Sequence, residues 1–441
     1  MKTIKYPAKI TKNYILKLSI PVFFSNLAIP LVGVVDTGLM GNLGSEKFLA
    51  ATGIATSVIT MIFWSFGFLR MGTTGLVAQA LGKGDYREIV LTTLRNIAIA
   101  TVIALILILL KDKILQFIDN FFQYSNETKI LIESYISIRI FSAPAELIIY
   151  VLIGLYLGMQ KTIISSLIVS FFSILNILLS AYLVLFLELN IYGVALGTVL
   201  SAYITVIISL IFSYFYIQRT FNIIPRFRKI FITKKIINLF NINIDIFIRT
   251  ILLTFAFSWI TYQSSLLGED YVAVNSILMQ FIIVSAFFLD AYAFSTEGVI
   301  GFSLGRKVKK SFLFAVTNSF QLSFVTALFI SILYLFFFKS LVNLFTDLEY
   351  LRYLSYGFMF WIILIPPVAS FCYQYDGIFI GASQTDAMRN SMILSVTLFI
   401  IFSLIFVKLL HNHGLWLSLL IFMVLRSLSL RFYFSRILKK F

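Results

Sequence analysis

Residues 144–162 read PAELIIYVLIGLYLGMQKT, and residues 367–385 read PVASFCYQYDGIFIGASQT. Both segments begin on proline (Pro144, Pro367) and end on threonine (Thr162, Thr385), at a constant offset of 223 residues. At the same offset Tyr150 meets Tyr373, Gly154 meets Gly377 and Gly158 meets Gly381. Glycine and proline hold backbone roles that few residues can fill, so their recurrence carries more weight than that of leucine or isoleucine. The register holds without a gap from Phe48–Thr162 over Tyr271–Thr385: Ala50 meets Ala273, Gly75 meets Gly298, and Leu81-Gly82 meets Leu304-Gly305. The chain is read as an internal duplication.

Outward from this repeat the chain is apolar almost throughout. Of its 441 residues 60% are hydrophobic and 12% charged, with a mean hydropathy of +0.97. So few polar side chains cannot cover a water-soluble protein of this length, whereas lipid is the solvent for the outer face of a membrane protein. At about 20 residues per span, the apolar runs make twelve, beginning near Tyr14, Phe48, Val90, Leu131, Ile163, Tyr192, Asp245, Val272, Val316, Leu354, Ser391 and Leu415. The repeat offset contains six of them, an even number, so the halves keep one orientation. The expected fold is an all-α polytopic membrane protein of twelve transmembrane helices in two parallel six-helix repeats related by an axis near the membrane normal. The expected division is an N-lobe over residues 1–218, a basic connector with Pro225 over 219–244, and a C-lobe over 245–441.

The formal charge of +16 suggests nucleic acid until its distribution is read. Lys2, Lys5, Lys9, Lys12 and Lys17 precede the first span; Lys83, Arg87 and Arg95 follow the second, and Lys161 the fourth. Arg219, Arg226, Arg228, Lys229, Lys234 and Lys235 separate the sixth from the seventh. Arg306, Lys307, Lys309 and Lys310 follow the eighth, Arg389 the tenth, and Arg436, Lys439 and Lys440 the last. These are alternate loops, so the positive-inside rule places both termini in the cytoplasm and accounts for the basic balance without nucleic acid. The first apolar stretch continues past Pro21 to Val35 without a small-residue cleavage site and reads as a retained span. The single cysteine, Cys372, excludes an internal disulfide framework. No phosphate-binding loop, nucleophile triad or metal-ligand cluster is present, and His411 and His413 fall in a short outer loop. The reading is therefore neither an enzyme nor an ATP-driven pump, with no cofactor.

Loop by loop, the wording becomes specific. Leu18-Ser19-Ile20-Pro21 opens the first helix, which carries Val35-Asp36-Thr37 and ends near Met40-Gly41. The second closes on the segment from Phe68 to Ala80, the fourth holds Arg139-Ile140-Phe141-Ser142-Ala143-Pro144-Ala145, and Asp245 to Thr250 opens the seventh. The tenth holds Asp376 to Ala382, followed by Met388-Arg389-Asn390-Ser391-Met392. In this order and spacing, over essentially the whole chain, the set resembles the multidrug and toxic compound extrusion (MATE) family, and within it the DinF-type branch. The resemblance implies an exporter in the bacterial inner membrane that exchanges amphipathic, often cationic, organic compounds for H⁺ or Na⁺; a monomer is the default working unit. It also implies that Asp36 matches the coupling aspartate of the first helix and Asn176 the asparagine of the fifth. Where the family usually has a second aspartate this chain has Ser180, a departure that argues against a two-carboxylate relay and leans toward H⁺. Tyr135 and Thr198 match polar partners in the fourth and sixth helices.

Read on their own physics, Asp36, Glu146, Asp290, Glu297 and Asp376 fall at membrane depth. A carboxylate there costs about 2.5–3.5 kcal/mol even on forgiving scales, so it faces the interior and marks a candidate site. Ionised it can hold a cation; protonated it loses most of its affinity for one. Asp36 falls opposite Trp259 in the repeat, an asymmetry that favours function over packing. The candidate substrate residues are Asp36, Met40, Met61, Asp290 and Asp376. Ion pairing to Arg249 or Arg70 is the structural alternative for Asp290 and Glu297, and relief of backbone groups freed by Pro144 is the alternative for Glu146. Pro21, Pro30, Pro144 and Pro367 are candidate bends. A flippase for lipid-linked precursors, which would need a cationic cavity, is the competing function; a polytopic glycosyltransferase is excluded by short, mostly basic loops.

Overall fold

The computed structural model describes residues 10–43, 45–122, 124–223 and 232–441. Lys2, Lys5 and Lys9, and Pro225, Arg226, Arg228 and Lys229 of the connector, lie outside the described residues. The described chain is helical: α1 (Lys12–Gly41), α2 (Glu46–Ser65), α3 (Phe68–Lys83), α4 (Tyr86–Leu109), α5 (Lys111–Phe121), α6 (Asn126–Arg139), α7 (Ala143–Gly158), α8 (Thr162–Leu185) and α9 (Asn190–Phe221). There follow α10 (Thr233–Leu267), α11 (Glu269–Gly305), α12 (Lys309–Asn343), α13 (Glu349–Tyr356), α14 (Met359–Gly381) and α15 (Thr385–Leu438).

Eleven helical stretches among the described residues are long and apolar enough to cross a membrane; α2 with α3 forms one of them, and α6 with α7 another. The last, α15, has 54 residues, about 81 Å at 1.5 Å per residue, far beyond a hydrocarbon core of about 30 Å. It breaks at His411 (φ 51°, ψ −134°) and supplies two spans, which completes the twelve. A buried polar cluster fixes this break. Asn275 of α11 donates to Ser264 and to Asn412, both at 2.7 Å, and accepts from Asn412 at 3.0 Å and from Trp416 at 2.9 Å. Two segments between the spans form short helices, α5 and α13.

The chain forms two compact units. One is Phe24–Leu239; the other is Phe240–Phe441 together with the described residues up to Phe23. The division falls inside α1, between Pro21 and Pro30, and places the first turns of α10 in the first unit. There Lys235 pairs with Glu88 at 3.3 Å, and Glu88 also pairs with the buried Arg95 at 2.9 Å.

Each unit repeats the same helix junction. In the first, α7 lies against α3 so closely that a Cβ on Gly154 would stand 2.4 Å from the Arg70 carbonyl oxygen, and one on Gly158 2.7 Å from that of Thr74. In the second, α14 lies against α11, and the corresponding values are 2.6 Å from Ala293 to Gly377 and 2.4 Å from Glu297 to Gly381. Arg70 and Ala293, and Thr74 and Glu297, are themselves 223 residues apart. The helix ends repeat too. After α3, Gly84 (φ 73°) and Asp85 donate to Leu81 and Ala80; after α11, Lys307 (φ 55°) and Val308 donate to Leu304 and Ser303. After α7 and α14 the left-handed positions are Gln160 (φ 57°) and Ser383 (φ 48°), with the same pair of end-capping bonds.

The prolines differ in what they do. α1 runs unbroken through Pro21 and Pro30. Pro144 starts α7 after a tight 3₁₀ turn at Ile140–Ser142, where a missing N–H costs nothing. Pro367 lies inside α14, beside Pro366. It cannot donate to the Ile363 carbonyl, and the Ser331 hydroxyl of α12 donates there instead at 2.7 Å.

Gly154→Ala and Gly381→Ala should each drive a methyl into a backbone carbonyl and lower stability by about 1–3 kcal/mol. Gly53→Ala, with nothing within 4 Å, should be neutral or gain up to about 1 kcal/mol. Thermal unfolding in detergent reads the difference; a Gly154→Ala protein as stable as Gly53→Ala would remove the close-packing account.

Candidate functional site

Asp36 lies on α1 within the first unit and is 7% exposed, and its Oδ1 has no hydrogen-bond partner. Among the described residues no ion pair or hydrogen bond satisfies it. Its charged and polar surroundings come from α6. The buried phenol of Tyr135 and the guanidinium of Arg139 are both close enough to interact electrostatically with the Asp36 carboxylate. Arg139, the last residue of α6, donates to Ser142, pairs with Glu146 of α7 at 2.5 Å and stands over the Phe63 ring at 5.1 Å. The Tyr135 hydroxyl accepts from Thr56 of α2 at 3.3 Å. Arg139 and Glu146 are seven residues apart, about two helical turns, a spacing that brings them onto one side across the junction of α6 and α7. Asp36 is thus an unsatisfied carboxylate beside a cation that is already committed elsewhere.

The fifth and sixth spans hold the other candidates. Asn176 and Ser180 of α8 are both buried, and Ser180 Oγ donates to Asn176 Oδ1 at 3.3 Å. A Cβ on Gly197 of α9 would stand 2.6 Å from Ser180 Oγ and 2.8 Å from its Cα, so the helices meet here through their smallest side chains. That approach fits a serine where the family usually has a carboxylate. Thr198 donates to Val194 of its own helix at 3.0 Å. No hydrogen bond joins Asn176, Ser180 or Thr198 to Asp36 among the described residues. The second unit shows how the positions relate. Trp259 and Ser403, 223 residues after Asp36 and Ser180, are hydrogen-bonded at 2.8 Å. Met40 is fully buried, whereas Met61 on α2 is half exposed.

In the second unit Asp376 is buried and fully engaged. It accepts from Arg249 of α10 and, at 2.6 Å, from Arg426 of α15. The structure therefore gives Arg249 to Asp376. Asp290 and Glu297 lie on α11, Asp290 close enough to interact electrostatically with Cys372 and Tyr373 and Glu297 1% exposed. Asp245 is likewise paired, accepting from Arg389 at 2.5 Å and from Thr385 at 3.0 Å. Sequence reasoning looked for carboxylates at membrane depth and weighed only Arg249 and Arg70 as their partners. Arg139 and Arg426 carry the same insertion cost as an aspartate, and that cost is the signal that finds them. Among the described residues no cluster of histidine, cysteine or carboxylate could hold a metal ion.

The two aspartates should respond oppositely to neutralisation. Asp376→Asn leaves two buried guanidinium groups short of a counter-ion and should lower stability by about 3–5 kcal/mol. Asp36→Asn removes an unsatisfied buried charge and should leave the unfolding midpoint unchanged or raise it. Thermal unfolding of the two variants side by side checks both; equal losses would mean that Asp36 is also paired.

Known proteins resemble this chain in sequence and in fold. The MatE family model matches residues 21–182 and 245–405. DNA damage-inducible protein F of Escherichia coli (strain K12) is 33% identical over 413 residues, covering 94% of this chain and 90% of that protein. Multidrug export protein MepA of Staphylococcus saprophyticus is 22% identical over 236 residues, 53% of this chain and 52% of that protein. A solved outward-facing multidrug resistance MATE transporter of the MOP superfamily superposes with a TM-score of 0.84 at 20% identity, covering 97% of each chain, a likeness of fold. With a matched segment in each half and the same junction inside both, this chain belongs to the MatE family of multi-pass membrane transporters, proteins that move solutes and are not enzymes.

Proposed function

We propose that the chain is a secondary antiporter that exports amphipathic, often cationic, organic compounds in exchange for H⁺, by alternating access, with Asp36 as the coupling carboxylate. The observation that carries this reading is the unsatisfied carboxylate itself. Holding an unpaired carboxyl group at membrane depth is costly, and a fold spends such free energy where the group has something to bind. Ionised, Asp36 holds an organic cation; protonated, it releases it, so proton and cation occupy the site in turn. Each proton entering down a membrane potential of 100 mV contributes about 2.3 kcal/mol and each cationic charge exported against it costs as much, so a one-for-one exchange is driven by the pH gradient. Tyr135 and Arg139 shape the site. The Arg139 charge, shared with Glu146, keeps Asp36 from becoming an indiscriminate cation trap.

H⁺ is preferred over Na⁺ because a metal cation needs several oxygen ligands, and the position that would supply a second carboxylate is Ser180, whose hydroxyl is given to Asn176. The functional division proposed with this reading is an N-lobe over 1–218 that carries the coupling site, a basic connector over 219–244 and a C-lobe over 245–441. Both termini are cytoplasmic, the membrane is the bacterial inner membrane, and the working unit is the monomer. No organic cofactor enters the cycle.

The test is efflux of a fluorescent organic cation from proteoliposomes under an imposed pH gradient, with and without Na⁺, for the wild type, Asp36→Asn and Asp36→Glu. Gradient-driven efflux should fall at least about tenfold in Asp36→Asn, a loss of about 1.4 kcal/mol or more in driving the cycle. Asp36→Glu should keep part of it. Efflux that follows Na⁺ and ignores the pH gradient would replace the coupling ion. Transport unaffected by Asp36→Asn would remove Asp36 from the mechanism.

A further inference from the structure

The second unit has an open cavity of about 370 Å³ between α12, α14 and the last half of α15, within the range of about 300–1,000 Å³ typical of small-ligand sites. Its walls are apolar: Phe324 of α12, Pro367 and Phe371 of α14, and Leu428 of α15. At one end stand Tyr375 and Arg431, and among the described residues no carboxylate lines it. Pro367 lines the cavity, and the carbonyl it leaves free, that of Ile363, is satisfied by the Ser331 hydroxyl of α12.

Depth along the helices identifies what fills it. Arg431 is 19 residues beyond Asn412 at the break of α15, about 28 Å at 1.5 Å per residue, which is the far boundary of a hydrocarbon core of about 30 Å. By the same count Tyr375 lies about 24 Å from the start of α14, and Phe324 about 22 Å from Lys309 at the start of α12. The groove therefore begins near mid-membrane and ends at the interface marked by the basic loops, with its cation at headgroup level. Packing within the repeat does not demand that end: Leu152 matches Tyr375, and residues 202–214 of α9, the stretch matching this part of α15, hold no charged residue.

We infer that this groove is a binding site for an anionic phospholipid of the leaflet at the basic end, with one acyl chain along Phe324, Phe371 and Leu428 and the headgroup phosphate on Arg431 and the Tyr375 hydroxyl. Lipid is the solvent on this face, the groove runs the depth of one leaflet, and its lone charge matches a phosphate. A zwitterionic lipid fits the same walls but gains less from Arg431, so the site selects by charge. The leaflet follows from the positive-inside reading of the loops. The inference stands apart from the coupling role of Asp36.

Native mass spectrometry of the full-length detergent-purified protein tests it, titrated with phosphatidylglycerol or with phosphatidylcholine of the same chains. The wild type should retain the first phosphatidylglycerol about fivefold better than phosphatidylcholine, the order expected for one basic residue at a membrane surface. Arg431→Gln should abolish that preference and leave phosphatidylcholine retention as it was. Arg436→Gln, at a residue paired with Asp386 at 3.3 Å outside the groove, should keep the preference. Val424→Trp, which fills the cavity from its exposed edge, should reduce retention of both lipids. Wild-type preference persisting in Arg431→Gln, or undiminished lipid retention in Val424→Trp, would overturn the assignment.

Discussion

Two glycines four residues apart, pressed against the carbonyls of a neighbouring helix, set the frame on which everything else in each unit hangs. Lipid gives helices little hydrophobic reason to associate, so packing in a membrane relies on surfaces smooth enough for close van der Waals contact. Gly154 and Gly158 give α7 such a surface toward Arg70 and Thr74, and Gly377 and Gly381 give α14 the same toward Ala293 and Glu297. Once these helices are locked, the positions along them are fixed to within a side chain. Glu146 can then meet Arg139 across the turn that starts α7, and Asp376 can stand between Arg249 and Arg426. The same frame built twice leaves the side chains around it free to diverge.

They diverge in how buried charge is handled. In the second unit Asp376 is shared by two arginines, an arrangement that costs desolvation but leaves the carboxylate paired. In the first unit Glu146 has Arg139, while Asp36 has only the fringe of that cation's field. A paired carboxylate is a poor carrier, since binding a proton or an organic cation would first mean breaking the pair. An unpaired one gains from either. Asp36 and Asp376 differ in their partners and not in their depth, since both are buried to the same 7% exposure.

Much of the fold was legible because backbone geometry writes itself into sequence. Glycine at 154, 158, 377 and 381 reports close approach, and the repeat register predicted positions that the structure occupies with matching left-handed turns even where the residues differ, as with Gly84 and Lys307. The spans followed from the length of apolar runs, and the break in α15 falls between the two spans read near Ser391 and Leu415. The ion pairs were not legible. Asp376 and its arginines are 127 and 50 residues apart in the chain, and no local spacing encodes which cation will meet which carboxylate across three helices. The proline at 144 and 367 was legible as a residue and not as a backbone event: one begins a helix, the other sits inside one with its lost bond replaced by Ser331. The division of the units inside α1 left no compositional mark, because that helix is apolar on both sides of it.

The duplication also supplies an internal control for the proposed coupling site. At one junction of the second unit, Trp259 donates to Ser403 and closes the contact between α10 and α15 at 2.8 Å. The matching residues in the first unit are Asp36 and Ser180, and there the bond is open: Ser180 turns to Asn176, and the Asp36 Oδ1 has no partner. An indole N–H can only donate, so the Trp259 bond has one state. A carboxyl group accepts when ionised and can donate when protonated, so the same junction built with aspartate has two. On the proposed reading, that is how one frame yields a fixed contact in one unit and a proton-sensitive one in the other. The replacement of an expected second carboxylate by Ser180 then simplifies the site, because a hydroxyl can answer either state of Asp36 by donating to it or accepting from it.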